Sequence, residues 1–404
     1  MIWRMAWRNI WRNKLRSVLI MLSVSVGLFC GMMALALYKG MLSGRIKTVI
    51  GFETGNLQLH HPSFKDDYAP LLVLSNLKKL NQVILALPGF STTALRSVTM
   101  GMLATTTGSA GVQIMGIDPQ VEVLVSGLDK KIVGGFYFKS GQNGRILIGK
   151  KLADKVKLKV GQKLVLTFTD AQANLISSAY RVMGIFQTEN ASLDERLVYI
   201  RRNELNNLLG INQAAHEQVI LLDGDDATLD AQKILQSYFP ELLVETWSEL
   251  SPETKLMVDA VDVYSSIIMV IILIALSFGI INTMLMAVLE RTREFGMMMA
   301  LGLNKLKLFL LITLETLILT VAGSPLGLWL AWLYSAYLNK VGIDWSGKGE
   351  EMMSSFGFNA VIYPEFPMEK VGSVLGIVVV TAIVSCFFPA ARALQLQPTD
   401  ALRK

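Results

Sequence analysis

The sequence is poor in charge, cysteine and histidine. Only 17% of its 404 residues are charged and 52% are hydrophobic, whereas an average soluble chain carries about 25% charged residues. Intrinsic disorder and a coiled coil are thereby excluded. The 2 cysteines, Cys30 and Cys386, lie inside long apolar runs, so neither a disulfide framework nor a cysteine-based zinc site is available. Three histidines (His60, His61 and His216) are too few for a His-rich metal centre. Catalytic signatures are missing as well: there is no G-x-S-x-G, no H-E-x-x-H and no G-x-G-x-x-G after a strand-like run. Gly144-Arg145-Ile146-Leu147-Ile148-Gly149-Lys150-Lys151 fits G-x-x-x-x-G-K, but it ends in Lys where Mg²⁺ needs Ser or Thr. Its centre reads as a strand that cannot wrap a phosphate. His60-His61-Pro62 reads as a surface turn.

What is abundant is apolar sequence. A hydrocarbon core about 30 Å thick takes roughly 20 residues of helix, and four stretches supply them: Ser17–Tyr38, Val263–Leu289, Leu308–Asn339 and Val371–Ala391. The second is long enough to extend past the bilayer as a stalk. The third holds one charge, Glu315, and a proline, Pro325, placed to kink it. The net charge of +6 is concentrated at one place: residues 1–40 have six basic side chains and no acidic one, while 41–260 and 261–404 are each balanced. That is a topology signal and not a nucleic-acid patch. Arg291, Arg293, Lys305 and Lys307 between spans 2 and 3, and Arg392, Arg403 and Lys404 after span 4, agree with it. The 340–370 loop is acidic, so both termini and the 290–307 loop are expected to be cytoplasmic. The run Ala34-Leu35-Ala36 resembles a signal-peptide cleavage site, but the apolar run before it exceeds a signal h-region.

The sequence therefore predicts an α-helical polytopic membrane protein with four transmembrane helices and a large α+β extracytoplasmic domain between helices 1 and 2. Its parts are a cytoplasmic amphipathic N-terminal helix (1–16), span 1 (17–40), the external domain (41–260), span 2 (261–289), a cytoplasmic coupling loop or helix (290–307), span 3 (308–339), a short external loop (340–370), span 4 (371–391) and a cytoplasmic tail (392–404). In the N-terminal helix Trp3, Trp7 and Trp11 recur beside Arg4, Arg8, Arg12 and Arg16, an aromatic stripe next to a cationic one, suited to the membrane interface. Gly27/Gly31, Gly323/Gly327 and Gly372/Gly376 allow close helix contact, within one subunit or between two. The external domain alternates strand candidates (Asn56–His60, Val112–Gly116, Arg145–Gly149, Lys163–Thr169, Tyr180–Phe186, Leu197–Ile200, Val219–Leu222, Leu242–Thr246) with helix candidates (Leu71–Leu87, Lys150–Lys157, Arg202–Leu209, Thr228–Phe239).

After span 2 comes Glu290-Arg291-Thr292-Arg293-Glu294-Phe295-Gly296, then Met297, Met298, Met299, Ala300, Leu301 and Gly302. It suggests a short helix ended by Gly302, with Phe295, Met298 and Met299 as an apolar face for a partner's groove; periodicity alone favours an ordinary interfacial loop. Glu315, about two turns into span 3, is a functional candidate by default, but a structural hydrogen bond near the coupling loop is the favoured account.

The run from Asn282-Thr283-Met284 through Gly302 resembles the coupling region of the FtsX/MacB/LolC-LolE family of ABC transporter permeases. Phe388-Pro389-Ala390-Ala391-Arg392-Ala393 followed by Pro398-Thr399-Asp400-Ala401-Leu402-Arg403, and the start Ala6-Trp7-Arg8-Asn9 with Asn13-Lys14-Leu15-Arg16-Ser17, are similar to that family's ends. Ile114-Met115-Gly116-Ile117-Asp118-Pro119, Ile148–Ala153 and Val160-Gly161-Gln162 resemble the external domain of its lipoprotein-releasing members. Met299 departs from the basic residue many members carry there, and the hairpin around Thr169–Ser178 is shorter than the hook that engages a soluble acceptor. The resemblance implies a non-enzymatic permease of the bacterial inner membrane, working with a second permease copy or paralogue and an ABC ATPase dimer that binds ATP and Mg²⁺. This chain itself would hold no cofactor or metal. Glu290, Arg291, Arg293, Glu294, Phe295, Gly296, Met298, Ala300 and Gly302 would receive the ATPase's motion. Lipoprotein release from the membrane, with a periplasmic acceptor or adaptor, is the expected task. MacB-like export of peptides or small molecules, a regulator of cell-wall hydrolases and a non-transporting scaffold are the alternatives. Membrane lipid is an expected partner; nucleic acid is not.

Overall fold

The computed structural model describes residues 2–12, 14–139, 141, 143–224, 227–345, 347 and 349–394. Asn13, Lys348 and the closing residues Pro398, Thr399, Asp400, Ala401, Leu402, Arg403 and Lys404 lie outside the described residues. The chain forms two compact units, one of Met1–Met41, Asp259–Ile343 and Ile362–Lys404, the other of Leu42–Val258 with Asp344–Val361. The segment expected as a short loop at 340–370 thus gives most of its length to the second unit.

The first unit is built on four helices long and apolar enough to cross a membrane, lying within Lys14–Thr54, Pro252–Glu290, Lys305–Val341 and Met368–Arg392. The first runs unbroken from Lys14 to Thr48 over 35 residues, about 52 Å at 1.5 Å per residue, and so outreaches the hydrocarbon core. Small residues bring the helices together. A Cβ at Gly323 would stand 2.7 Å from the Met21 carbonyl, and one at Gly327 2.5 Å from that of Ser25, so spans 1 and 3 touch backbone to backbone. Ser25 Oγ donates to the Gly323 carbonyl at 2.7 Å across the same seam. Gly27 and Gly31 receive the side chains of Leu276 and Ile272 from span 2. These two glycine pairs therefore pack within the subunit, whereas Gly372 and Gly376 face open space. Pro325 lies inside the continuous helix Lys305–Val341. Span 2 is the least covered of the four: 17% of its apolar window is buried, against 44% for spans 1 and 3.

The second unit is an α+β domain. Its strands are β1 (Leu57–His60), β2 (Phe90–Ala104), β3 (Ser109–Ile117), β4 (Ile132–Gly135), β5 (Arg145–Gly149), β6 (Lys163–Thr169), β7 (Leu175–Phe186), β8 (Leu197–Arg201), β9 (Glu217–Leu222) and β10 (Leu243–Thr246). They line up as β10-β1-β9-β2-β3-β8-β5-β7-β4, with β6 joined to β2 and β7. β2 is the hinge of the topology: its first half, from Phe90 to Arg96, pairs with β9, and its second half, from Ser97 to Ala104, pairs with β3. Three large cores lie around it. One gathers Leu57, Leu59, Leu80, Ile84, Ile220 and Leu235; another gathers Ile146, Ile148, Leu164, Leu166, Val198 and Leu205; the third gathers Phe64, Val98, Ile117, Leu147, Phe186 and Tyr199.

Several expectations need correction here. The helix expected over Leu71–Leu87 is confined to Leu77–Leu85, because Asn76 takes a left-handed conformation (φ 55°) and breaks any earlier turn. β2, the longest strand, has no counterpart among the expected strands. His60 is no surface-turn residue: it ends β1 fully buried, its Nε2 2.6 Å from Glu245 Oε2. The G-x-x-x-x-G-K run, by contrast, is as expected no phosphate loop: it is strand β5 followed directly by the helix Lys150–Lys155.

Candidate coupling site

The segment after span 2 folds as the helix Thr292–Ala300. It ends in a Schellman motif: Leu303 N–H donates to the Met298 carbonyl at 2.9 Å and Gly302 N–H to that of Met299 at 3.0 Å. Gly302 carries φ +91°, which an L side chain rarely adopts, so the glycine is needed for the turn itself. Asn304 then caps span 3 by accepting from Leu306 N–H at 3.3 Å. Every covalent and capping feature of this corner thus follows from local sequence.

The inner face of this helix is a charge network. Arg291, buried at 6% exposure, donates through Nε to Glu294 at 2.9 Å and through Nη1 to both oxygens of Glu315 at 3.4 and 3.3 Å. Its guanidinium also lies 5.2 Å from the Phe295 ring centre. Phe295 and Gly296 are buried, and Met298 and Met299 pack against the bundle core with Leu308, Leu311 and Ile312. The expected partner-seeking face of Phe295, Met298 and Met299 is therefore turned inward. The apolar run of three methionines gave no phase to choose between faces; burial of Phe295 sets it. The outward stripe is Arg293, Met297, Ala300 and Leu301, with Gly302 also exposed. Their spacing of four, seven and eight from Arg293 puts them on one side of a helix.

Two further contacts join this site to the start of the chain. Glu294 is bound by Arg12 and Glu290 by Arg16. Partial burial pushes the Glu294 carboxyl up, but the hydrogen bonds from Arg12 and Arg291 outweigh it and hold its pKa below the ordinary value. The N-terminal helix Ile2–Arg12 sits on the bundle through buried Ala6 and Ile10, leaving Trp3, Trp7 and Trp11 exposed, and Ser17 Oγ closes the joint on the Ile10 carbonyl at 2.8 Å. The sequence pattern alone reads these arginines as interface anchors and a topology signal. The signal was present: Glu290 and Glu294 are four apart, as are Arg12 and Arg16, so two helices can pair both at once.

Thus Glu290, Arg291, Glu294 and Glu315 come together with Arg12 and Arg16. Arg293 and Ala300 stand apart from them on the outer side, while Met298 lies in the packing beneath. Elsewhere, sequence reasoning also missed Asp194 in the second unit. Burial raises its pKa from 3.8 to about 7, against the pull of Thr188, whose N–H and Oγ1 donate to the carboxyl at 2.9 and 2.8 Å. Among the described residues no group of three metal-ligating side chains occurs.

Comparison with known proteins places these features in a family. The FtsX-like permease C-terminal family matches residues 266–398, and the MacB-like periplasmic core domain family matches residues 17–238, more than half of the chain. A macrolide export ATP-binding/permease protein MacB from Bdellovibrio bacteriovorus is 32% identical over 127 residues, 31% of this chain but only 16% of that protein. The lipoprotein-releasing system transmembrane protein LolC of Xylella fastidiosa is 20% identical over 307 residues, covering 71% of this chain and 72% of its own length. Among solved structures, the periplasmic region of MacB from Actinobacillus actinomycetemcomitans aligns with TM-score 0.36 and 13% identity, over 52% of this chain and 95% of that one.

Proposed function

The chain belongs to the FtsX-like permeases with a MacB-like periplasmic core domain, the FtsX/MacB/LolC family, and from that premise we propose that it is the mechanical permease subunit of an inner-membrane ABC transporter. A separate ATPase dimer hydrolyses ATP on the cytoplasmic side, where both termini and the coupling helix lie. That dimer seats on Arg293, Met297, Ala300 and Leu301, and a second permease subunit covers span 2. The observation that carries this reading is the coupling helix itself, held to span 3 by Arg291–Glu315 and to the N-terminal helix by Arg12–Glu294. A helix so fixed transmits a push and does not merely rotate under it.

The substrate in this proposal is a lipid-anchored protein released from the membrane. An apolar groove of about 600 Å³ between spans 1 and 3, walled by Leu22, Val26, Phe29, Leu330 and Tyr334, supports an acylated or otherwise amphipathic cargo. Peptide or macrolide-type export is the second reading, favoured by the MacB relatives.

Purification from native membranes in mild detergent, with mass spectrometry of what accompanies the chain, tests both. An ABC ATPase together with a lipoprotein supports release, and an ATPase with an adaptor and an outer-membrane duct supports export. Reproducible absence of any ATPase contradicts the transporter reading.

A further inference from the structure

Beside the coupling site the bundle has a cavity of about 470 Å³ that the transport reading leaves unused. Its cationic rim is Arg12, Lys14 and Arg16 at the start of span 1, and the end of span 2 contributes Glu290. With Glu294 counted beside Glu290, three positive charges stand against two negative ones and leave the rim at a net one positive. Arg12 and Arg16 have carboxylate partners in Glu294 and Glu290, while Lys14 makes no ion pair among the described residues. The floor is different in kind: Leu15, Leu19 and Met286 line it, and all three are exposed. Trp7 and Trp11 are exposed on the neighbouring helix and touch edge to face, their ring centres 6.1 Å apart.

We propose that this cavity is a binding site for an anionic phospholipid, with the phosphate on the Lys14–Arg16 rim and an acyl chain along Leu15, Leu19 and Met286. The rim supplies charge-assisted donors for a phosphate, and the tryptophans mark the depth at which headgroups lie. The apolar floor is what a free phosphate would not use and an acyl chain would cover. Net positive charge selects an anionic headgroup over a zwitterionic one. The site has a consequence for coupling. A bound phosphate competes with Glu290 for Arg16 and with Glu294 for Arg12, so the lipid adjusts how tightly the N-terminal helix grips the coupling helix.

The test titrates the purified full-length chain in detergent with dioctanoyl phosphatidylglycerol, dioctanoyl phosphatidylcholine and inorganic phosphate, reading tryptophan fluorescence. Phosphatidylglycerol should saturate and bind at least about fivefold more tightly than phosphatidylcholine, and Lys14→Ala should weaken it by about fivefold, the effect of one cation near a headgroup. Leu19→Ser should weaken phosphatidylglycerol as well. Both side chains are exposed, so lipid-free melting curves of the two variants should match the parent and separate lost binding from lost folding. Equal affinity for the two lipids, no change in Lys14→Ala, or inorganic phosphate binding as tightly as phosphatidylglycerol would each overturn the proposal.

Discussion

The two faces of the helix Thr292–Ala300 are made of different chemistry. Inward lie a buried arginine, a carboxylate from another helix, an aromatic ring and packed methionines; outward lie Arg293, Met297, Ala300 and Leu301, none of them buried. The inner face fixes where the helix is, and the outer face is free to meet something else. Stability and association should therefore separate cleanly when the two faces are mutated in turn.

The largest effect belongs to Glu315→Ala. It leaves buried Arg291 with the partly exposed Glu294 as its remaining carboxylate partner, a loss of about 3 kcal/mol, seen as a fall in melting temperature of the chain in nanodiscs. The double change Glu315→Leu with Arg291→Met should recover most of that loss, because no charge is then left buried. Asp194 sharpens the contrast, since hydrogen bonds from Thr188 and not a cation satisfy it. Its carboxyl is held at about 7 against an ordinary 3.8, so the folded chain keeps a proton that the unfolded chain gives up. Its contribution is full below pH 3.8 and declines as pH rises to about 7, by at most about 4 kcal/mol. Asp194→Asn should flatten that slope in thermal unfolding measured across pH.

Gly302→Ala forces an alanine into a left-handed turn and should cost about 1 kcal/mol, with the coupling helix fraying in hydrogen exchange. Arg12→Ala breaks a pair that is half exposed, so its stability cost stays below about 1 kcal/mol. Yet it frees the N-terminal helix from the coupling helix, and transport per ATP hydrolysed should fall. Smallest in stability is the outer face: Arg293→Glu with Met297→Asp should shift melting by less than about 0.5 kcal/mol while abolishing retention of the ATPase on purification.

Much of this architecture is legible in the sequence where local patterns decide it. Arg145–Gly149, Lys163–Thr169 and Arg202–Leu209 fall on their observed bounds because β-branched alternation and a terminal glycine or turn mark them. β2 escapes for the opposite reason. Arg96, Ser97 and Thr99 interrupt its apolar pattern, yet they are buried, since Glu122 meets Arg96 at 2.6 Å and Asn206 meets Ser97 at 2.6 Å. Such polar core positions are set by residues distant in the chain. The coupling segment shows both behaviours. Gly302 and Asn304 announce its end locally, whereas its phase depends on the bundle core that buries Phe295, and its ties on Arg12 and Arg16, more than 270 positions away.

In the proposed mechanism the outer face of this helix receives the ATPase while the inner face holds the helix still. Photocrosslinking in native membranes, with p-benzoylphenylalanine placed at Met297 or at Met298, tests it most directly. Position 297 should crosslink to an ABC ATPase, and position 298 should give only intrachain products. Crosslinks to the ATPase from 298 and none from 297 would contradict it.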